Sequence, residues 1–267
     1  GPAGRRGRPG AGLAQAQLRQ GTVPGPLPAR PHPPHPTPAT EDAQRGEEFL
    51  AKLRDFCETK IDGARIEREA RIPDETIDGL KEIGALGMKI DTKYGGLGLT
   101  QVYYNKALAL VGSANPAIGA LLSAHQSIGV PQPLKLFGTQ EQKDTFLPRC
   151  ARTDITAFLL TEPDVGSDPA RLATTAVPDG EGYVLDGVKL WTTNGVVADL
   201  LVVMARVPKS EGHKGGITAF VVEAAAEGVT VENRNASWAC AASRTASPAS
   251  TGYGCPPRTA SGPRAPV

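Results

Sequence analysis

Apolar residues follow two different periods along this chain, and the change comes near Thr156. Before it, Phe49, Leu53, Phe56 and Lys60 share one helical face, which Leu50, Cys57, Ile61 and Ala64 widen. Thr40 is expected to cap this first helix, with Glu41 and Asp42 against the positive end of its dipole. Pro73 opens a second helix where its missing N–H does no harm; that helix presents Ile77, Leu80 and Ile83 and ends at Gly87. In the loop Asp91–Leu99, Gly95, Gly96 and Gly98 supply turns rather than a phosphate cradle. Thr100 starts a third helix. Asn115-Pro116 starts a fourth, Ala117–Ile128, which is apolar nearly all round and so central and buried. His125 on it reads as a core histidine bonded to a backbone group. Leu134–Phe137 make a helical turn, and Thr139 with Gln142 spells a capping box for a helix stopping near Leu147-Pro148. This half reads as all-helical, with five or six helices.

Beyond Thr156 come short β-prone runs: Ala157–Leu160, Ala173–Val177, Tyr183–Leu185, Val188–Thr193, Leu200–Ala205 and Ile217–Glu223. Pro178-Asp179-Gly180, Asp186-Gly187, Asn194-Gly195 and Lys214-Gly215-Gly216 separate them as turns. The fold class is therefore α+β: an N-terminal all-helical domain over 41–153, then an antiparallel β-barrel or sandwich domain over 154–236.

Composition changes the picture at both ends. Residues 1–40 hold ten prolines, five arginines and no acidic residue, too little apolar surface to offset chain entropy, so a disordered leader is expected. An Arg-rich leader would also suit a transit peptide to the mitochondrial matrix, but the proline density opposes the amphipathic helix such peptides form. A cytoplasmic chain is expected. His32 and His35 in this tail read as bystanders, and no metal site is expected. Cys57, Cys150, Cys240 and Cys255 show neither metal nor disulfide spacing, which fits a reducing compartment. The net charge of +1 implies no nucleic-acid partner. No apolar run is long enough to span a bilayer as a helix.

Two stretches carry candidate chemistry. Phe158 to Asp168, Phe-Leu-Leu-Thr-Glu-Pro-Asp-Val-Gly-Ser-Asp, begins as a buried strand and breaks at Pro163 and Gly166 into a polar turn. Such a turn offers hydroxyls and backbone N–H groups to an anionic or polar ligand. Trp191 to Gly195, Trp-Thr-Thr-Asn-Gly, sets an aromatic beside two hydroxyls, as a flat heteroaromatic ring requires. Taken singly, the first is also an ordinary strand with a turn, and Trp191 also fits core packing. In this order and spacing the two resemble the acyl-CoA dehydrogenase family, whose Thr-Glu-Pro-x-x-Gly-Ser-Asp and Trp-(Ile/Thr)-(Thr/Ser)-Asn-Gly motifs lie in a middle β-domain. Phe137-Gly138-Thr139, Glu141-Gln142-Lys143, Leu147-Pro148 and Tyr94-Gly95-Gly96-Leu97-Gly98 are similar to that family as well, and the resemblance runs from about Glu47 to Ala236.

The resemblance implies FAD as cofactor and conversion of a fatty acyl-CoA to its trans-2-enoyl-CoA. It assigns Phe158, Leu160, Thr161, Gly166, Ser167, Trp191, Thr192 and Thr193 to the flavin. Thr161 would bond the pyrimidine edge, Ser167 would reach the pyrophosphate and the acyl-CoA, Trp191 would stack near the ring, and Thr193 would bond near N5. It further implies an electron-transfer flavoprotein or similar electron acceptor, and a homo-oligomer. The family's catalytic base is a glutamate from a C-terminal helical domain, and no glutamate here matches it. Glu162 belongs to the flavin loop and is expected to hold that turn. The chain as given is thus expected to be a truncated, inactive form. Two other readings stand beside this one: a flavin monooxygenase or oxidase on the same fold, and a non-catalytic remnant.

From Ser237 the pattern collapses into Ser, Ala, Pro, Gly, Arg and Thr, and 237–267 is expected to be disordered. Ser237 to Thr245 can be encoded so that a one-base shift reads Phe-Met-Gly-Leu-Arg-Gly-Ile-Glu-Asn, which holds the family's Gly-x-Arg-Gly. The tail is therefore read as the product of a frameshift.

Overall fold

The computed structural model of the chain describes residues 38–180, 182–209, 214–235 and 245–255. The leader, His32, His35 and Cys240 lie outside them. Helix α1 (Thr40–Lys60) has Ala39 at its cap position with no side-chain bond, so Thr40 is its first residue and not its cap. It buries Phe49, Leu53, Phe56 and Cys57 along one face, while Lys60 is exposed. The helix stops at Ile61. Ala64 belongs instead to a separate short helix, α2 (Gly63–Glu69), where the Asp62 carboxylate caps by accepting from the Arg65 N–H at 2.9 Å. Helix α3 (Asp74–Glu82) starts one residue after Pro73, which stands at the cap itself. It ends before Gly87 because Gly84 takes φ 81° and turns the chain into the 3-10 turn Ala85–Gly87.

Gly95, at φ 82°, closes a second 3-10 turn, Thr92–Tyr94. A Cβ on Gly96 would collide with the Ile90 carbonyl, so here glycine lets two backbone segments touch. Helix α4 (Gln101–Ala114) leads to α5 (Pro116–Ser127), whose Asn115 cap accepts from Ala117 N at 2.9 Å and Ile118 N at 3.3 Å. α5 buries Ile118, Leu121, Leu122, His125 and Gln126. After α6 (Pro131–Phe137), α7 (Gln140–Arg152) opens on the Thr139–Gln142 capping box. It runs through Pro148 to Arg152 instead of stopping there. A helix-interior proline costs about 3 kcal/mol. Burying Phe146, Leu147 and Cys150 offsets this, at about 1.5–3 kcal/mol for each large apolar side chain. Seven α-helices are thus present among the described residues, one or two more than the pattern predicts.

The strands are β1 (Thr156–Leu159), β2 (Thr175–Asp179), β3 (Gly182–Val188), β4 (Thr192–Thr193), β5 (Leu200–Val207), β6 (Gly216–Glu223), β7 (Val229–Asn235) and β8 (Thr245–Cys255). They make one curled sheet in the order β1-β5-β2-β3-β8-β4, with β6 paired to β5 and β7 to β8. The sheet is mixed, not wholly antiparallel: β1 runs parallel to β5, and Thr175 of β2 pairs in parallel with Arg206. Parallel partners need a long crossover, and local turn residues report only hairpins. Asp186-Gly187 is not a turn but lies inside β3, where the register against β8 shifts. Asn194-Gly195 makes no hairpin either, since β4 pairs with β8 and not with β5.

β8 departs from the expected disorder of 237–267. Ladder bonds come from main-chain groups that every residue carries, so the edges of β3, β4 and β7 can recruit a segment lacking apolar alternation. Residues 236–244 and 256–267 lie outside the described set.

Three cores result. One fills the helical packet around Leu53, Leu80, Ile118 and Leu122. One joins Leu134, Phe146 and Cys150 of the helices to Leu200, Val202 and Val221 on one face of the sheet. One lies on the opposite face, with Leu159, Leu201, Val203 and Phe220. β5 supplies alternate residues to the second and third, which explains its unbroken apolar run.

Candidate functional site

The site stands on a buried ion pair. After β1 the chain turns at Glu162–Val165, each residue's N–H bonding the other's carbonyl, at 3.0 and 3.2 Å. The Glu162 side chain points inward. Its carboxylate accepts from Lys189 Nζ at 2.7 Å, Thr174 Oγ1 at 2.6 Å, Thr174 N at 3.0 Å and Ala173 N at 2.5 Å. Burial works against its charge. The hydrogen bonds from Lys189, Thr174 and the two amides outweigh that and hold the carboxyl down at about 2. Burial pulls Lys189 below the ordinary lysine range, and Glu162 pushes back. Lys189 also donates to the Leu160 carbonyl at 3.1 Å. Glu162 holds the turn, as the sequence reading expects. Lys189 went unrecognised there; its only signal is a lone charge inside a β-prone run.

This pair aligns the two motif stretches. The Leu190 N–H donates to the Thr161 carbonyl at 2.8 Å, so Thr161 lies beside the residue preceding Trp191. Trp191 is 64% exposed and takes φ 55°. It does not pack in the core. An exposed indole on a left-handed backbone is costly for a bulky residue, and such strain collects at binding sites. Thr161 and Thr193 are half-buried, and neither hydroxyl makes a hydrogen bond among the described residues. Phe158 is half-buried against the core between α7 and the sheet, and Leu160 is half-buried at the end of β1. Gly166 and Ser167 are exposed, and a Cβ built on Gly166 meets nothing within 4 Å. Thr192 differs from its neighbours: it is 1% exposed and turned into the interior, so its side chain does not join this surface.

Asn194, 2% exposed at φ 68°, docks this surface on the helices. Its Nδ2 donates to the Leu121 carbonyl at 3.0 Å and the Thr156 carbonyl at 3.2 Å. His125 makes a second joint. Its Nδ1 accepts from Thr156 N at 3.1 Å, so Nε2 carries the proton and faces the carbonyls of Leu86 at 3.1 Å and Cys150 at 3.0 Å. Burial drives its pKa down to about 4, leaving a neutral core histidine. Arg149 makes a third, bonding both Glu223 oxygens at 2.7 and 2.9 Å.

Residues 43–154 match the family described as "Acyl-CoA dehydrogenase, N-terminal domain", and residues 157–248 match "Acyl-CoA dehydrogenase, middle domain". The chain belongs to the acyl-CoA dehydrogenase family. It is 65% identical over 205 residues to "Probable acyl-CoA dehydrogenase FadE10" of Mycobacterium tuberculosis, covering 75% of this chain and 31% of that one. It is 40% identical to the mitochondrial very long-chain specific acyl-CoA dehydrogenase of Bos taurus, covering 74% and 31%. The chain thus spans about a third of the length of these relatives. Among solved structures it resembles butyryl-CoA dehydrogenase from Megasphaera elsdenii, at TM-score 0.73 and 30% identity over 82% of this chain and 58% of that one. A glutaryl-CoA dehydrogenase from Mycobacterium smegmatis in complex with FADH2 aligns at TM-score 0.70 and 28% identity, covering 81% and 55%.

The residues present fit a flavin. A solvent-facing indole, two unengaged hydroxyls on adjacent segments and open space beside Gly166 are what a planar ring with polar edges and an anionic tail would use. No helix among the described residues is long and apolar enough to cross a membrane.

Proposed function

We propose that this chain carries the FAD-binding face of an enzyme that removes two hydrogens across the Cα–Cβ bond of a fatty acyl-CoA, giving the trans-2-enoyl-CoA. The observation that carries the reading is Trp191, exposed and held at positive φ, on a segment whose Leu190 N–H bonds the Thr161 carbonyl and whose Thr193, like Thr161, keeps an unengaged hydroxyl. When bound, FAD would supply the oxidation by accepting the β-hydride. Trp191 would lie against the ring, Thr161 and Thr193 would hydrogen-bond its edge, and Phe158 and Leu160 would line it. Gly166 and Ser167 would admit the pyrophosphate, with Ser167 also meeting the acyl-CoA.

The α-proton needs a carboxylate within hydrogen-bond reach. Glu162 is not that base: four donors occupy its oxygens, and a carboxyl at about 2 is a weak proton acceptor. As in the family, where the base comes from a C-terminal helical domain, we assign the proton to a carboxylate that residues 1–267 do not supply, and these residues alone are expected to bind flavin without turning over acyl-CoA. Electrons would pass to an electron-transfer flavoprotein or similar acceptor. The buried free thiols Cys57 and Cys150 suit a reducing cytoplasm. The frameshift reading of 237–267 is settled by the coding DNA around Ala236.

The test is reconstitution. The purified chain mixed with FAD should quench flavin fluorescence saturably, and Trp191→Ala or Thr193→Ala should weaken this at least tenfold. A chain that takes up no FAD, though folded by circular dichroism, would overturn the proposal.

A further inference from the structure

A second concavity lies on the helical side, between the turn after Met88, the start of α6 and the outer face of α7. It holds about 160 Å³ of space. At roughly 30 Å³ per liquid water, that is room for a few waters or one phosphate-sized anion. Lys89, Lys93, Lys135 and Lys143 line it, with Gln132 and Gln140 between them and the apolar Ile90 and Leu147 below. The four lysines come from three separate elements, so their meeting is a product of the fold and not of a local charge run.

Like charges gathered this way repel one another unless something neutralises them. Among the described residues the lysine ion pairs are Lys106–Glu47 and Lys189–Glu162, which leaves Lys89, Lys135 and Lys143 without a carboxylate partner. Burial, and then the charge of Lys135, press the Lys89 ammonium below the ordinary lysine range. Lys89 is also held in place. Its N–H donates to Gln126 Oε1 at 3.1 Å, and its ammonium sits 5.0 Å from the Tyr104 ring centre. Lys93 leans on the Tyr94 ring at 4.6 Å. The carboxylate in the lining, Asp91, accepts from the Lys93 backbone N–H at 2.9 Å and, with Asp144, also draws on the Lys93 ammonium, so the unmet charge rests on Lys89, Lys135 and Lys143. Asp144 accepts from Gln140 Nε2 at 2.6 Å.

We infer that this pocket binds a phosphate dianion, either free phosphate or the end of a phosphomonoester, between Lys89, Lys135 and Lys143. Ammonium groups are point charges that converge on a tetrahedral dianion from several directions, whereas a planar carboxylate is better matched by an arginine fork, and no arginine lines the pocket. The site is separate from the flavin face, and its test needs no flavin.

Isothermal titration of inorganic phosphate into the full 267-residue chain at fixed ionic strength should show saturable binding at one site. Lys89→Gln or Lys135→Gln should weaken it at least tenfold, and Lys106→Gln should leave it unchanged. Acetate should bind at least tenfold more weakly than phosphate. Methyl phosphate binding as tightly as phosphate would identify a monoester ligand, and weaker binding would identify the free ion. Gln132→Glu, a near-isosteric change at a half-buried position, should abolish binding by supplying the missing anion within a folded chain. In lysine-labelled protein, saturating phosphate should raise the titration midpoint of Lys89. No saturable heat, or Lys89→Gln and Gln132→Glu chains that bind as tightly as the parent, would overturn the inference.

Discussion

The Lys189 ammonium lies 2.7 Å from the Glu162 carboxylate, with 2% and 4% of the two side chains exposed. Removing either partner strands the other's charge in the interior, which typically costs about 3–5 kcal/mol. Glu162→Gln and Lys189→Met should therefore each destabilise the chain strongly in urea unfolding. The double variant should recover part of the loss, because no uncompensated charge remains. If the losses simply add, the pair is not the unit that holds this turn.

Acid should weaken the fold in two steps. His125 has a folded pKa near 4 against an ordinary 6.5. A depressed value means the unfolded chain binds the proton first. The contribution is full above about 6.5 and is lost as pH falls toward 4. Glu162, held at about 2 against 4.5, adds a second loss from pH 4.5 downward. His125→Gln should flatten stability between pH 6.5 and 4 and leave the lower step in place, as measured by urea midpoints across pH.

Trp191 should behave as a ligand-facing residue. Its side chain is 64% exposed, so Trp191→Ala should change stability by about 0.5 kcal/mol or less. Trp191→Gly should be neutral or slightly stabilising, since glycine accepts φ 55° without strain. Both should lose FAD binding. A large drop in thermal midpoint with unchanged FAD affinity would return Trp191 to a packing role.

Arg149 couples α7 to β6 through both oxygens of Glu223 and also bonds Asp154 at 2.8 Å. Those carboxylates hold its guanidinium charged well beyond the ordinary arginine range. Its side chain is 39% exposed, so solvent screens the pairs, and Arg149→Met should cost only about 1 kcal/mol. The effect should shrink in high salt, which the same unfolding assay would register.

Gly129 packs where a Cβ would run into Thr156 Oγ1 and the His125 carbonyl. Gly129→Ala should push α5 off β1 and reduce both stability and flavin uptake, because the joint that positions the motif strand is the one disturbed. Unchanged unfolding in Gly129→Ala would show that this contact relaxes freely.

Much of this was written in local sequence. The 3.6-residue face of α1, the Asn115 cap, the Thr139–Gln142 box and the apolar run of α5 are contests among neighbours, and a window of residues contains all the competitors. The strand and break of Phe158–Ser167 were legible too, because an apolar run and the breakers Pro163 and Gly166 are local, whereas the flavin roles given to these residues and to Trp191–Thr193 came from the family resemblance. Other features depended on residues far apart in the chain. The parallel pairing of β1 with β5, the partnership of Lys189 with Glu162 and the burial of Thr192 beside an exposed Trp191 all required the sheet to be in place. So did the meeting of Lys89, Lys135 and Lys143 around one pocket. Periodicity reports which face of an element avoids water, whereas the partner waiting on that face is set only when distant segments are packed together.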